Sequence, residues 1–328
     1  MKPTILITTG DFNGVGPEVS IKAAAHASIR KICTPVLVGP MNVLESLSRN
    51  LKLRARLQKT RLPALSPEGI PVLDVGDGIW ADVEFGRVTK AGGRSAGVAI
   101  ERAVDACMHG LAQAMVTAPT SKEALNLAGY QFPGQTEMVA LLSRSPQVAM
   151  MLVSKTMRIG LVTIHVSLKE ASQSISKDKI VEKTEIVYKD LQRRYGIKRP
   201  RMALLGLNPH AGERGLMGSD ESESIAPAIE VLVGRGLEVE GPFAADGFFG
   251  SKAYGRYDAI MAMYHDQGLI PIKMNSFGEA VNFTAGLNII RTSPDHGTAY
   301  DLAGKGKATI TSMLEAIKLA VHFTKAAE

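Results

Sequence analysis

Cysteine is nearly absent: Cys33 and Cys107 are the only two in 328 residues. That excludes a disulfide framework and a cysteine-rich zinc module, and it fits a reducing compartment. Tryptophan occurs once, as Trp80, aromatics make up 5% of the chain, and neither Trp80 nor the cysteines carry recognisable chemistry. The densest basic stretch, Lys52 to Arg61, has no interleaved aromatic and reads as a solvated helix face or turn, not a nucleic-acid patch. No apolar run reaches the ~18 residues of a membrane span. Met1-Lys2-Pro3-Thr4 leads straight into the strand-like Ile5-Leu6-Ile7, without the charged-then-apolar pattern of a signal peptide. The expectation is a soluble cytoplasmic protein with no membrane and no nucleic-acid partner.

Length allows two domains or one large α/β unit. Net charge is +6, from 38 Lys and Arg against 32 Asp and Glu, and such a surface draws in anionic substrates. Short apolar runs alternate with helical patterns. Strands are expected over Thr4–Thr9, Pro35–Gly39, Ala114–Ala118, Ala149–Val153, Ile159–Thr163, Met202–Leu207, Asp258–Met263 and Gly286–Arg291. Helices are expected over Pro17–Ile29, Met41–Ser48, Ser95–His109, Lys177–Arg194, Glu221–Val233 and Thr309–Thr324. The alternation predicts an α/β protein with a largely parallel, helix-flanked sheet. No linker, repeat or low-complexity stretch marks a boundary, so the domains are expected to interleave. The chain would cross near Gln131–Thr136 and again near Asn275–Gly278. That gives 1–133 with 276–328 as one domain and 134–275 as the other.

Gly10-Asp11-Phe12-Asn13-Gly14-Val15-Gly16-Pro17-Glu18 joins a strand to a helix. It is neither a dinucleotide fingerprint, since Val19 takes the third glycine position, nor a phosphate loop, since no Gly-Lys-Ser/Thr follows. Alone it reads as structural. His165, His210 and His265 each follow the end of an expected strand, where open α/β sheets place ligands. Three such histidines fit a metal site that keeps positions open for substrate. Lys273, Asn282 and Arg291 bracket two apolar strands, and Lys and Arg suit a phosphate or carboxylate. Asp295 to Lys305 is a polar loop before the last helix. His26, His109 and His322 lie in helical patterns without carboxylate partners at useful spacing and are assigned to surface or core.

Together these residues resemble the 4-hydroxythreonine-4-phosphate dehydrogenase (PdxA) family of vitamin B6 biosynthesis. The resemblance runs through nearly the whole chain. Its carriers are Thr9-Gly10-Asp11 to Glu18, Ala118-Pro119-Thr120-Ser121-Lys122, Phe132-Pro133-Gly134-Gln135-Thr136-Glu137, Leu207-Asn208-Pro209-His210-Ala211-Gly212-Glu213, Tyr264-His265-Asp266-Gln267-Gly268 and Arg291 to Ala299. The first and last blocks also look like those of isocitrate and isopropylmalate dehydrogenases. The resemblance implies their fold: two interleaved α/β domains with an active-site cleft between them. It implies NAD or NADP held by His296, Gly297, Thr298 and Ala299, and one divalent ion (zinc, magnesium or cobalt) on His165, His210 and His265. It also implies a homodimer with a shared site, one histidine coming from the partner subunit.

By the same resemblance a small phosphorylated hydroxy acid contacts Gln135, Thr136, Lys273, Asn282 and Arg291. Asp246 and Asp266, with Lys122 behind them, are the candidate proton carriers. The implied reaction is oxidation of 4-phosphohydroxy-L-threonine followed by loss of carbon dioxide, giving 3-amino-2-oxopropyl phosphate for pyridoxal 5'-phosphate biosynthesis. One position departs from the family pattern: Gln135 stands where the family has a histidine that contacts substrate. Glutamine cannot carry a proton charge near neutrality. D-threonate or D-erythronate 4-phosphate therefore stays open as substrate, and a metal-dependent lyase without a redox cofactor stays open as a class.

Overall fold

A computed structural model of the chain describes residues 2–53, 55–63, 69–76 and 83–326. Arg54 of the basic stretch and Trp80 lie outside the described residues. The strands are β1 (Thr4–Thr8), β2 (Thr34–Gly39), β3 (Leu57–Thr60), β4 (Ile70–Asp74), β5 (Ala114–Thr117), β6 (Ala149–Val153), β7 (Arg158–Leu161), β8 (Arg201–Leu205), β9 (Glu238–Phe243), β10 (Ala259–Ala262), β11 (Val281–Ala285) and β12 (Arg291–Pro294). Two compact units divide them. The first runs to Pro146 and resumes at Leu287; the second is Gln147–Gly286.

In the first unit the strands run β3-β4-β2-β1-β5-β12, every pair parallel. Ile5, Leu6, Ile7, Val36, Leu37 and Val38 are fully buried, as strands covered on both faces must be. Helices Gly16–Ala25, Met41–Asn50, Lys90–Met108 and Thr311–Lys325 belong to this unit. Gly93 lets the long helix lie against the next one: a Cβ there would sit 1.8 Å from the Ala124 carbonyl oxygen.

The second unit has the order β11-β6-β7-β10-β8-β9. It is mixed, because β6 pairs antiparallel with both β7 and β11 while β7, β10, β8 and β9 are parallel. Its core holds Leu152, Ile159, Leu161, Leu205, Ile260 and Ile272.

Several elements differ from expectation. The helix expected over Pro17–Ile29 stops at Ala25, because extended His26 caps a second helix, Ala27–Ile32, with Nδ1 accepting the Ser28 N–H. His109 does have a carboxylate partner, Asp105 one turn earlier, at 3.2 Å. Gly286–Arg291 is not a strand. Gly286 turns with φ of 86°, and Asn288 is tied to Ser145 Oγ and to the Ser143 and Arg144 carbonyls. The chain changes units after Pro146 and Gly286, later than the 133 and 275 expected. Helix Gln135–Leu142 packs on Lys90–Met108 in the first unit, and β11 pairs with β6 in the second. The basic stretch forms a turn at Lys52, then strand β3, and not a helix face. No described helix is long and apolar enough to cross a membrane.

Candidate active site

In the second unit, parallel pairing of β7 with β10 carries on past the strand ends. Val162 and Thr163 donate their N–H groups to the Ala262 and Met263 carbonyls, and Thr163 Oγ1 donates to Met263 O at 2.7 Å. The next residues of the two strands are thereby held side by side. His165 and His265 meet with ring centroids 5.7 Å apart and planes 47° to each other. A ring centroid lies roughly 3 Å from an ion held at about 2.0–2.1 Å by its nitrogen, so two imidazoles sharing one ion stand within roughly 6 Å. That spacing leaves room for one ion between the two rings.

His265 begins helix His265–Ser276, and its Nδ1 lies 2.7 Å from Asp266 Oδ1. A carboxylate on one ring nitrogen orients the other toward a metal. Asp266, expected as a proton carrier, is thus engaged with His265. Buried Gln267 joins two strand ends: its Oε1 accepts the Met263 N–H at 2.7 Å and its Nε2 donates to Gly206 O at 2.6 Å. A pocket of about 200 Å³ is lined by Ile164, His165, Val166, Tyr264, His265 and Asp266.

His210 does not join that pair. Among the described residues no three His, Cys, Asp or Glu gather as a metal-ligand group. His210 is exposed and sits in a left-handed turn, with φ of 53°. Asp246 is exposed in the first turn of helix Ala245–Gly250. Lys273 is half-buried on the helix that His265 begins. Asn282, on β11, has a buried Oδ1 with no hydrogen-bond partner among the described residues, an acceptor that a bound group would satisfy.

In the first unit Arg291 opens β12 and is 2% exposed. Its Nε and Nη2 donate to Thr117 Oγ1 at 3.0 and 2.8 Å. Nη1 reaches Thr136 Oγ1 at 3.4 Å, and Nη2 also reaches Gln135 Oε1 at 3.5 Å, both at the start of helix Gln135–Leu142. Burial lowers the Arg291 pKa to about 10, against the opposing pull of Glu137, so the cation persists at neutral pH. Gln135 Nε2 also donates to Ala118 O at 3.4 Å. Lys122 is exposed at the start of helix Lys122–Leu127, beyond the Ser121 cap.

The loop after β12 leans on the loop after β1. Val15 N–H donates to Thr298 O at 2.9 Å, and Tyr300 donates its hydroxyl to Asp11 Oδ2 at 2.6 Å. Asp11 is fully buried. Burial raises its carboxyl pKa, while Tyr300 and the Asn13 N–H pull it down. Asn13 in turn holds Thr89 Oγ1 and the Glu84 N–H. The structural reading of Gly10–Glu18 therefore describes what these residues do in the fold. His296 and Gly297 are exposed, and a Cβ at Gly297 would meet nothing within 4 Å. Sequence reasoning missed Thr117, Tyr300, Gln267 and Glu221. Thr117 lies within the expected strand Ala114–Ala118, but only the β5–β12 pairing sets it beside Arg291.

The family model for the pyridoxal phosphate biosynthetic protein PdxA matches residues 31–320. A D-threonate 4-phosphate dehydrogenase of Cupriavidus necator is 44% identical over 96% of this chain and 96% of its own length. A 4-hydroxythreonine-4-phosphate dehydrogenase of Geobacter metallireducens is 42% identical over 99% of this chain and 96% of its own. The crystal structure of a 4-hydroxythreonine-4-phosphate dehydrogenase from Klebsiella pneumoniae superposes with a TM-score of 0.89 at 38% identity, covering 98% of this chain and all of that one. With the α/β fold and nearly its whole length matched, this chain is an enzyme of the PdxA family of dehydrogenases.

Proposed function

We propose that this enzyme oxidises and decarboxylates 4-phosphohydroxy-L-threonine with NAD (or NADP), yielding 3-amino-2-oxopropyl phosphate for pyridoxal 5'-phosphate synthesis. The observation that carries the reading is the Arg291 cradle. A buried guanidinium is costly to desolvate, and here two of its donor groups are fixed on Thr117 while Nη1 meets Thr136 and Nη2 also meets Gln135. Such a rigid fork suits a phosphate or carboxylate oxygen. In the second unit, Lys273 is assigned to a substrate anion, and Asn282 to a substrate donor that would satisfy its buried oxygen. Anchoring at the phosphate positions the reacting carbon through remote binding energy.

His165, His210 and His265 would hold one divalent ion (zinc, magnesium or cobalt). When bound it would supply Lewis-acid stabilisation of the oxygen as negative charge develops. Neutral imidazoles leave the ion its charge. Two of these rings meet within one chain, so a homodimer whose partner subunit completes the site is the reading that uses all three. Asp266 orients His265. Asp246 and Lys122, both exposed, are the remaining candidates to move a proton. His296 to Ala299 would take the adenosine end of the cofactor. A cytoplasmic location fits the near absence of cysteine.

A second reading has specific support: Gln135 replaces the family's histidine, and a 44% identical relative is a D-threonate 4-phosphate dehydrogenase. D-Threonate or D-erythronate 4-phosphate would then be the substrate. The deciding assay compares NAD reduction on the three phosphorylated acids, with and without metal. Efficient turnover of the amino-acid phosphate supports the first reading. A hundredfold preference for threonate phosphate replaces it with the second.

A further inference from the structure

His210 is presented by an uncommon backbone. Six consecutive residues have positive φ: His210 (53°), Ala211 (50°), Gly212 (76°), Glu213 (40°), Arg214 (57°) and Gly215 (96°). Only two are glycines. Left-handed φ crowds the Cβ of every other residue, so such a run persists only where surrounding contacts over-determine it.

The contacts converge on one buried carboxylate. Glu221 is 6% exposed. Its Oε1 accepts the N–H groups of Leu207 and Asn208 at 2.8 and 2.7 Å, and its Oε2 accepts Asn208 Nδ2 at 2.9 Å. Asp220 Oδ2 accepts from the same amide nitrogen at 2.9 Å. Gly212 rests against this carboxylate: a Cβ there would lie 2.5 Å from Oε2. A Cβ on Gly206 would lie 3.1 Å from Oε1. The turn that carries His210 is therefore wrapped around Glu221 on both sides. A carboxylate side chain suits this place because its two oxygens can take several donors at once.

We propose that Glu221 is a positioning residue for metal binding: by holding residues 207–212 it sets where the His210 ring points. It acts through the backbone, as an outer-shell carboxylate acts through a ligand's second nitrogen. The inference rests on reading His210 as a metal ligand.

The test is Zn²⁺ affinity of the full-length protein, by competition with a chromophoric chelator, with thermal unfolding of the metal-free protein in parallel. Glu221→Ala should weaken Zn²⁺ binding about ten- to hundredfold. Glu221→Gln, which keeps an oxygen for the Leu207 and Asn208 N–H groups but turns its amide N–H toward Asn208 Nδ2, should recover only part of that loss. Gly212→Ala disturbs the same contact without removing the carboxylate and should also weaken binding, which keeps the test decisive should Glu221→Ala not fold. His210→Ala is measured beside them. If it binds Zn²⁺ like the wild type, the ligand reading of His210 fails and the positioning role with it. If His210→Ala weakens binding while Glu221→Ala and Gly212→Ala do not, the positioning role alone is overturned.

Discussion

Tyr300 donates its hydroxyl to the buried carboxylate of Asp11 at 2.6 Å, and so fastens the loop of His296–Ala299 to the loop after β1. If that loop takes the cofactor, Tyr300→Phe should weaken NADH binding about tenfold, the equivalent of one charge-assisted hydrogen bond, and leave the KM for the phosphorylated substrate nearly unchanged. Titration of intrinsic NADH fluorescence checks this. Equal losses for NADH and substrate would instead mean general loosening.

Asp11 also predicts a pH dependence. Burial raises its carboxyl pKa above the ordinary value, so folding favours the protonated form. The stability this contributes is complete below the ordinary carboxylate pKa and is lost as pH rises through the raised folded value. Asp11→Asn keeps an acceptor oxygen and carries no charge. Its stability relative to wild type should therefore improve between about pH 4 and neutrality. Urea unfolding across that range measures it, and a difference that does not move with pH would contradict it.

The side-by-side histidines decide which complementation works. His165 and His265 meet in one chain, so with a shared site each protomer would give that pair to one site and its His210 to the other. Mixing His165→Ala with His265→Ala should then restore nothing, because both variants break the same half. Mixing His165→Ala with His210→Ala should recover up to about a quarter of wild-type activity, since random exchange makes half the dimers mixed and each holds one intact site. Recovery in the first mixture would refute the division.

Thr117 should matter as much as Arg291 itself. Arg291→Ala should weaken phosphorylated substrates about ten- to hundredfold with little effect on NAD. Thr117→Val keeps the shape but removes the acceptor of two guanidinium donors. Hydrogen bonds to a charged group are worth about 1.5–3 kcal/mol, so this variant should lose stability and raise the substrate KM together. An unchanged KM in Thr117→Val would show that Arg291 needs no such anchor.

Gln135 sits at the margin of the Arg291 cradle. Its contacts to Arg291 and Ala118 are long, 3.5 and 3.4 Å, hence weak. Gln135→His should keep the substrate preference and change the rate by less than about tenfold, roughly 1.4 kcal/mol. A shift of preference from a sugar-acid phosphate to the amino-acid phosphate would mark Gln135 as the residue that sets specificity.

Much of this was legible in the chain. Ile5-Leu6-Ile7 and Val36-Leu37-Val38 read as buried strands because both faces are covered. Strand β9 did not, since Gly241-Pro242 interrupts it. Strand β11 is only five residues long, though Val281, Phe283 and Ala285 alternate with Asn282 and Thr284 as a strand should. Helix Gln135–Leu142 hides behind Pro133-Gly134, which read as a crossing. The histidines were visible as strand-end residues. That His165 meets His265 depends on β7 lying beside β10, a pairing between segments 100 residues apart. Glu221 looks like any acid opening a helix. Its role comes from a loop 13 residues earlier folding back over it.

Metal-dependent oxidative decarboxylation of 4-phosphohydroxy-L-threonine is tested most directly by following NADH and carbon dioxide together from that substrate, in metal-stripped and metal-reconstituted enzyme. One NADH should form for each carbon dioxide, only with metal bound, and far more slowly in Arg291→Ala. Release of carbon dioxide without NADH, or NADH formation unaffected by stripping the metal, would contradict it.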